Sequence, residues 1–168
     1  MNKMLRVAVG GGGSADWCNV SAANYDSVNL DVSGQDTAPT GLAFKPDGTK
    51  MYVIGYVSDR VHQYTLSTAW DLDTASYDSV SFSVRSQESF PRDVAFKPDG
   101  TKMYVVGSSS DTVYQYTLST AWDLYTASYD SVDFDVAAGP TSATFKPDGT
   151  KMYVIGSVND KVYQYSLG

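Results

Sequence analysis

The chain has 168 residues, enough for one domain with its own hydrophobic core. It carries 19 acidic and 12 basic residues, and the net charge of −7 argues against a nucleic-acid partner, which usually requires a basic surface. The apolar runs fall far short of the roughly 20 residues that span a membrane, and the single cysteine, Cys18, excludes an intrachain disulfide.

The N-terminal part of the sequence has two predicted segments. Residues 1–13 end in four consecutive glycines and are predicted to be a flexible leader. Residues 14–33 contain Trp17 and, further on, Val28, Leu30 and Val32, which alternate with polar residues. This alternation is typical of a half-buried strand, and the segment is predicted to be an outer strand.

An internal repeat dominates the rest of the sequence. The stretch FKPDGTKMYV occurs three times, and its copies begin 52 and 49 residues apart. Self-similarity at such a period is the signature of a repeat architecture. The predicted repeats are about residues 34–85, 86–137 and 138–168.

Each repeat predicts strands, and no window shows a helical period. In the first copy, LAF and KMYVIG flank a Pro-Asp-Gly turn and form a hairpin, because the glycine can take the positive φ that the turn requires. RVHQYTL is the third strand, and YDSVSFSV, with alternating valine, phenylalanine and serine, is the fourth. The turn residues expected to shape the hairpins are Asp47, Gly48, Asp99, Gly100, Asp148 and Gly149.

Four strands per repeat of about 50 residues are typical of a β-propeller blade, and a solenoid of stacked strands is the structural alternative. The stretch PTGLAFKPDGTKMYVIG, followed by SDRVHQYTL, resembles the YVTN/NHL-like group of bacterial propeller repeats over residues 23–168. The resemblance implies an all-β propeller. Some members of the wider group are lactonases or other enzymes, and many are binding or scaffold modules.

The predicted strands are offset from the blades by one strand. An outer strand within residues 14–33 precedes the first blade, and the last blade has three strands without an outer one. Three blades do not close a ring, since propellers usually have 4–8. We therefore expect a homodimer that closes six four-stranded blades, with residues 14–33 of each copy donated to the last blade of the other. A fragment of a longer protein is the alternative.

Candidate ligand-binding residues recur in the links between the third and fourth strands. These links contain Trp17, Trp70 and Trp122, and an acid follows two of them, Asp71 and Asp123. An aromatic ring beside a carboxylate suits a sugar, so a glycan is the candidate ligand. Packing between blades is the other interpretation, because large aromatic residues at a regular position usually serve packing.

Acid–base and metal chemistry have little support in the sequence. His62 is the only histidine, and tyrosine occupies its position in the other two copies, Tyr114 and Tyr163. Neither a zinc site nor a Ser-His-Asp triad is favoured, and no cofactor is predicted. The sequence thus favours a non-enzymatic scaffold or binding module, with a multivalent lectin as the alternative and a propeller hydrolase or lactonase in third place. It does not indicate a compartment.

Overall fold

The computed structural model describes residues 21, 23–136 and 139–168. These residues form three antiparallel sheets, one for each repeat, which confirms the all-β prediction. We call each sheet a blade. The predicted leader, residues 1–13, and Trp17 lie outside the described residues.

The blades repeat one strand order. Blade 1 consists of β1 (Pro39–Phe44), β2 (Lys50–Gly55), β3 (Arg60–Leu66) and β4 (Ala75–Ser83). Blade 2 consists of β5 (Pro91–Phe96), β6 (Lys102–Gly107), β7 (Thr112–Leu118) and β8 (Ala127–Asp135). Blade 3 consists of β9 (Pro140–Phe145), β10 (Lys151–Gly156) and β11 (Lys161–Ser166). Short 3-10 helices, Leu72–Thr74 and Leu124–Thr126, lie in the links that precede β4 and β8.

Local turn chemistry fixes the first hairpin of every blade. In blade 1, Asp47 Oδ1 accepts hydrogen bonds from Thr49 N at 3.0 Å and from Thr49 Oγ1 at 2.6 Å. Gly48 has a φ of 74°, and Gly100 and Gly149 both have 75°. Glycine is suited to this position because a side chain would be strained there.

The blades pack on one another through a repeated aromatic contact. Tyr52 of β2 lies on Phe96 of β5, with ring centroids 4.4 Å apart. The Tyr52 hydroxyl donates a hydrogen bond to the Trp122 carbonyl of blade 2 at 2.6 Å. The same step recurs between blades 2 and 3, where the ring centroids of Tyr104 and Phe145 lie 4.3 Å apart.

The two outer faces of this arc of blades are open. Trp70 of blade 1 is 60% exposed, whereas the equivalent Trp122, covered by blade 1, is 8% exposed. Val162 of blade 3 is 65% exposed, whereas the equivalent Val61 of blade 1 is fully buried. The difference arises because no described blade lies in front of blade 1 or behind blade 3.

Residues 23–32 occupy the place of an outer strand but pair with no strand in the described part of the chain. Leu30 and Val32 pack on the face of blade 1 in the way that the end of β4 packs on blade 2. Ser27 has a φ of 62°, close to the 58° of Ser79 at the same place in β4. The segment therefore has the local shape of an outer strand without its hydrogen-bonding partner.

Replacing Gly107 by alanine tests the contact between the end of β6 and the link that contains Glu88. A Cβ on Gly107 would overlap the buried Glu88 carboxylate, which accepts hydrogen bonds from Phe90 N at 2.6 Å and Ser110 Oγ at 2.8 Å. Gly107→Ala should lower the free energy of unfolding by about 2 kcal/mol, because it separates a buried charge from its donors. Chemical denaturation measures this change.

Gly34→Ala is the matched control, since no described atom would lie within 4 Å of its Cβ beyond its chain neighbours. The control should change the free energy of unfolding by no more than about 0.5 kcal/mol. Equal effects of the two substitutions would contradict the close fit of Glu88 against Gly107.

Candidate functional site

The first strand of each blade, β1, β5 or β9, is its inner strand. One face of the arc carries the links that precede these inner strands, together with the turns between the second and third strands of each blade. We call it the loop face. In blade 1, Asp36 of the link accepts a hydrogen bond from Ser58 Oγ of the turn at 2.6 Å. In blade 2, Glu88 accepts one from Ser110 Oγ at 2.8 Å. In blades 1 and 2 the link is thus tied to its turn by a buried acid, which makes this part of the loop face rigid.

His62 belongs to this structural network. Its Nε2 lies 3.1 Å from Ser58 Oγ, which lies 2.6 Å from Asp36. In blade 2 the Tyr114 hydroxyl, at the position of His62, donates to Ser110 Oγ at 2.8 Å. By this equivalence His62 donates through Nε2–H and Ser58 donates to Asp36. Burial lowers the pKa of His62 and keeps it neutral, so the histidine holds Ser58 in place and does not remove its proton.

Every inner strand carries a β-bulge close to the loop face. In β5 the register shifts between Pro91 and Asp93, which makes Arg92 the extra residue. The equivalent extra residues are Thr40 in β1 and Thr141 in β9. Bulges re-aim side chains and are frequent beside active sites, so this ring of bulges is the natural place to look for function.

Blade 2 departs from its neighbours at these positions. Arg92 stands where the other blades have threonine, and Asp93 stands where they have Gly41 and Ser142. Blade packing by itself favours similar residues at equivalent positions of the copies. Charged residues that occur in one copy alone, on rigid scaffold positions at a loop face, are therefore candidates for function.

The Asp93 carboxylate lies between neighbouring inner strands. Its Oδ2 accepts a hydrogen bond from Ser142 Oγ at 2.5 Å, and its Oδ1 accepts one from Val94 N at 2.9 Å. Gly41 of β1 packs closely against Asp93, since a Cβ there would lie 2.8 Å from Asp93 Cα and 3.0 Å from Asp93 Oδ1. Burial raises the pKa of Asp93, although the hydrogen bonds oppose the shift. A carboxylate with a raised pKa is suited to proton transfer near neutral pH.

Arg92 is held by an aromatic stack. Its Nε donates a hydrogen bond to Ser108 Oγ at 2.8 Å, and its guanidinium carbon lies 4.5 Å from the centroid of the Phe90 ring. Phe90 in turn stacks on Tyr56 of blade 1, with centroids 4.4 Å apart and planes 13° from parallel. A guanidinium fixed in this way is suited to binding a carboxylate or another planar anion.

Asp59 is a further buried acid on the loop face. Burial raises its pKa, and its Oδ1 has no hydrogen-bond partner among the described residues. Arg85 lies 3.9 Å from its other oxygen. The loop face therefore carries two carboxylates whose ionisation is disfavoured by burial: the buried Asp59 and the half-buried Asp93.

The residues that the sequence analysis singled out lie elsewhere. Trp70 and Trp122 lie at the Pro-Asp-Gly turns, at the opposite end of the strands from the loop face. Asp71 and Asp123 cap the two 3-10 helices, where each accepts a hydrogen bond from the backbone N–H two residues on, at 3.2 and 3.1 Å. Trp17 lies outside the described residues.

Sequence reasoning did not single out Arg92 or Asp93. The available signal was the link RSQESFPRD, which differs from its two counterparts and contains both residues. Within the described part of the chain, no group of three or more histidine, cysteine, aspartate or glutamate side chains is arranged to hold a metal ion. No helix of this part is long and apolar enough to cross a membrane.

Comparison with known proteins identifies the family. The family model described as "Lactonase, 7-bladed beta-propeller" matches residues 28–168. The chain belongs to this lactonase family. The family that matches is thus not the YVTN/NHL-like group, although the propeller resemblance is confirmed. No curated protein matches the sequence.

Solved structures show the same fold. A candidate 6-phosphogluconolactonase from Bacteroides uniformis and the periplasmic gluconolactonase of Pseudomonas aeruginosa each match 77% of the chain at 16% identity, with TM-scores of 0.60 and 0.58. Hydrazine synthase of Kuenenia stuttgartiensis matches 87% at 20% identity, with a TM-score of 0.57. The chain covers 37% of each of these three chains. At such identities the likeness shows the fold alone.

The family match corrects the functional prediction. The sequence favoured a non-enzymatic scaffold or binding module, with a lectin as the alternative, and it predicted no enzyme. A match to lactonases over residues 28–168 points to an enzyme instead. The regular repeat reflects the packing of the blades, which is the same in an enzyme and in a scaffold, and only the few positions where blade 2 departs from the repeat can carry a reaction.

The pH dependence of stability should distinguish Asp93 from a structural acid. Its raised folded-state pKa means that ionising Asp93 lowers the stability of the fold above the ordinary pKa of an aspartate, about 3.9. Asp93→Asn should therefore raise the melting temperature at pH 7, and this gain should disappear below about pH 4. Thermal melts between pH 3 and pH 7 measure it.

Asp130→Asn is the control of opposite sign. Asp130 is partly buried, but Lys102 Nζ at 2.7 Å lowers its pKa, so its charge stabilises the fold above the ordinary pKa. The control should lower the melting temperature at pH 7 and lose this effect at acidic pH. A loss of stability in Asp93→Asn at pH 7 would show that the Asp93 charge is structural.

Proposed function

We propose that the chain forms part of a lactone hydrolase whose reaction takes place on the loop face of blade 2. The observation that carries the proposal is the family match over residues 28–168. Asp93, with its raised pKa, and Arg92, held by its aromatic stack, supply an acid–base group and an anion-binding group on consecutive positions of one bulge.

The proposed reaction is the addition of water to the lactone carbonyl. Ionised Asp93 accepts a proton from the attacking water, and Ser142 keeps the carboxylate in position by donating to its other oxygen. The ring C–O bond of the tetrahedral intermediate then breaks, and the proton passes from Asp93 to the leaving alkoxide. The product is an open-chain hydroxy acid, whose carboxylate matches the planar guanidinium of Arg92.

Hydrolysis of glucono-1,5-lactone, followed by the release of acid, tests this proposal. Asp93→Asn should lower kcat by about 100-fold or more, the usual contribution of a positioned general base, while the protein stays folded. Asp130→Asn should keep the rate per folded molecule, because Asp130 pairs with Lys102 in the outer part of the blade. Equal rates for the wild type and Asp93→Asn, or a wild type with no lactonase activity, would contradict the proposal.

We further propose that a second copy of the chain completes the ring. Each copy would donate the outer strand within residues 14–33 to blade 3 of the other and close six blades. Three observations support this arrangement: both outer faces of the arc are open, β11 pairs only with β10 among the described residues, and residues 23–32 have the shape of an outer strand without a partner. Six blades would depart from the seven of the family.

A polar contact predicts how the donated strand would be recognised. In blade 1, Asp78 Oδ2 of the outer strand accepts hydrogen bonds from Gln63 Nε2 at 2.7 Å and Lys50 Nζ at 3.3 Å. Asp26 is the equivalent of Asp78, and Lys151 of blade 3 is the equivalent of Lys50. In the exchanged arrangement Asp26 of one copy therefore meets Lys151 of the other.

Light scattering should give about twice the chain mass of 18.2 kDa. Asp26→Lys and Lys151→Asp should each raise the dissociation constant of the dimer about 10-fold, which is roughly 1.4 kcal/mol, because each puts like charges together at both junctions. Combining the two should restore the dimer. A wild type that stays monomeric, or a combined variant as weak as the single ones, would refute the exchange.

A further inference from the structure

Each interface between blades contains a seat for a tryptophan side chain. In blade 2 the seat consists of Gly100 of the turn, Phe96 of the inner strand and Tyr52 of the preceding blade, and Trp122 fills it. The Trp122 ring lies 5.4 Å from that of Phe96 and 6.3 Å from that of Tyr52, measured between centroids. A Cβ on Gly100 would overlap the indole, so only glycine permits this approach.

The seat also binds the backbone of the tryptophan. Trp122 has a φ of 64°, a strained conformation for a bulky residue. Its N–H donates to the Gly100 carbonyl at 3.1 Å, and its carbonyl accepts from the Tyr52 hydroxyl at 2.6 Å. These contacts and the burial of the ring offset the strain, which makes the seat specific for a tryptophan in this conformation.

Blade 3 has the same seat, and no described residue fills it. Its parts, Gly149, Phe145 and Tyr104, line a pocket of about 410 Å³. Gly149 has the φ of Gly100, 75°, and a Cβ built on it meets no described atom within 4 Å beyond its chain neighbours. The Tyr104 and Phe145 rings lie 4.3 Å apart, as their equivalents do in the filled seat at 4.4 Å.

The rim of the pocket is neutral. Lys97 pairs with Asp99 at 2.7 Å, and Lys146 pairs with Asp148 at 2.5 Å. The cations that line the pocket are thus already neutralised. The rest of the lining is uncharged and consists of Tyr104, Phe145, Gly149, Pro98, Pro147 and Leu167. A pocket of this kind suits an uncharged aromatic side chain better than an ionic ligand.

We propose that this pocket binds Trp17 of a second copy. Trp17 precedes Tyr25 by eight residues, and Trp70 and Trp122 precede the equivalent tyrosines of their own outer strands by seven. The segment after Tyr25 already has the shape of an outer strand. The inference rests on the proposed two-copy ring, and it adds the side chain that anchors the donated strand.

Sedimentation equilibrium of the full chain tests the proposal. Trp17→Ala should raise the dissociation constant of the dimer at least 10-fold, while Trp17→Phe, which keeps an aromatic ring, should have an intermediate effect. Far-UV circular dichroism of each variant should match the wild type, which would show that the weaker association does not come from loss of the fold. Gly149→Ala, which places a methyl group in the seat, should weaken the dimer as much as Trp17→Ala.

Mixing the two alanine variants identifies the contact. In a mixed dimer the intact Trp17 of one copy faces the intact seat of the other, so one of the two junctions is restored and association should strengthen relative to either variant alone. The assignment of Trp17 is overturned if Trp17→Ala leaves the dissociation constant of the dimer unchanged, or if the mixture associates no more tightly than either variant alone. Neither result contradicts the strand exchange itself. A monomeric wild type overturns both, and the lactonase rate, measured separately, decides the enzymatic proposal.

Discussion

The contact between a tyrosine of one blade and the phenylalanine and tryptophan of the next holds this arc of sheets together. A four-stranded sheet that is apolar on both faces cannot bury either face alone, so each blade depends on its neighbours. Tyr52 meets this need by stacking on Phe96 and binding the Trp122 backbone. Because the contact is made once per repeat, it accounts both for the near-identity of the copies and for the apolar faces left open at the ends.

The same constraint decides where the chain is free to vary. Most strand residues and the Pro-Asp-Gly turns are fixed by packing and by backbone conformation, whereas the links on the loop face and the bulges beside them differ from copy to copy. In blade 2 this variation places Arg92 and Asp93 on the bulge of β5, between neighbouring inner strands. A rigid scaffold with variable loops is the usual arrangement for a binding or catalytic site.

The acids of the loop face fall into two groups, according to whether burial or hydrogen bonding decides the direction of the pKa shift. Burial disfavours ionisation of Asp36 and Glu88, yet the donors of the neighbouring turns outweigh it and lower the pKa of both. Asp59 and Asp93 have fewer donors, so burial prevails and raises the pKa of each. The first pair stabilises the loops. The second pair carries an electrostatic penalty that proteins usually retain only where function requires it.

The sequence by itself determined the blades. Strands β2 and β3 coincide with KMYVIG and RVHQYTL, because period-two alternation and turn residues act within a few positions of one another. It could not determine the site. Asp93 meets Ser142 across 49 residues, and the Arg92 bulge depends on how β5 pairs with β6. Such contacts are set by the packing of one blade on the next, and only the tertiary structure shows which departures from the repeat come together.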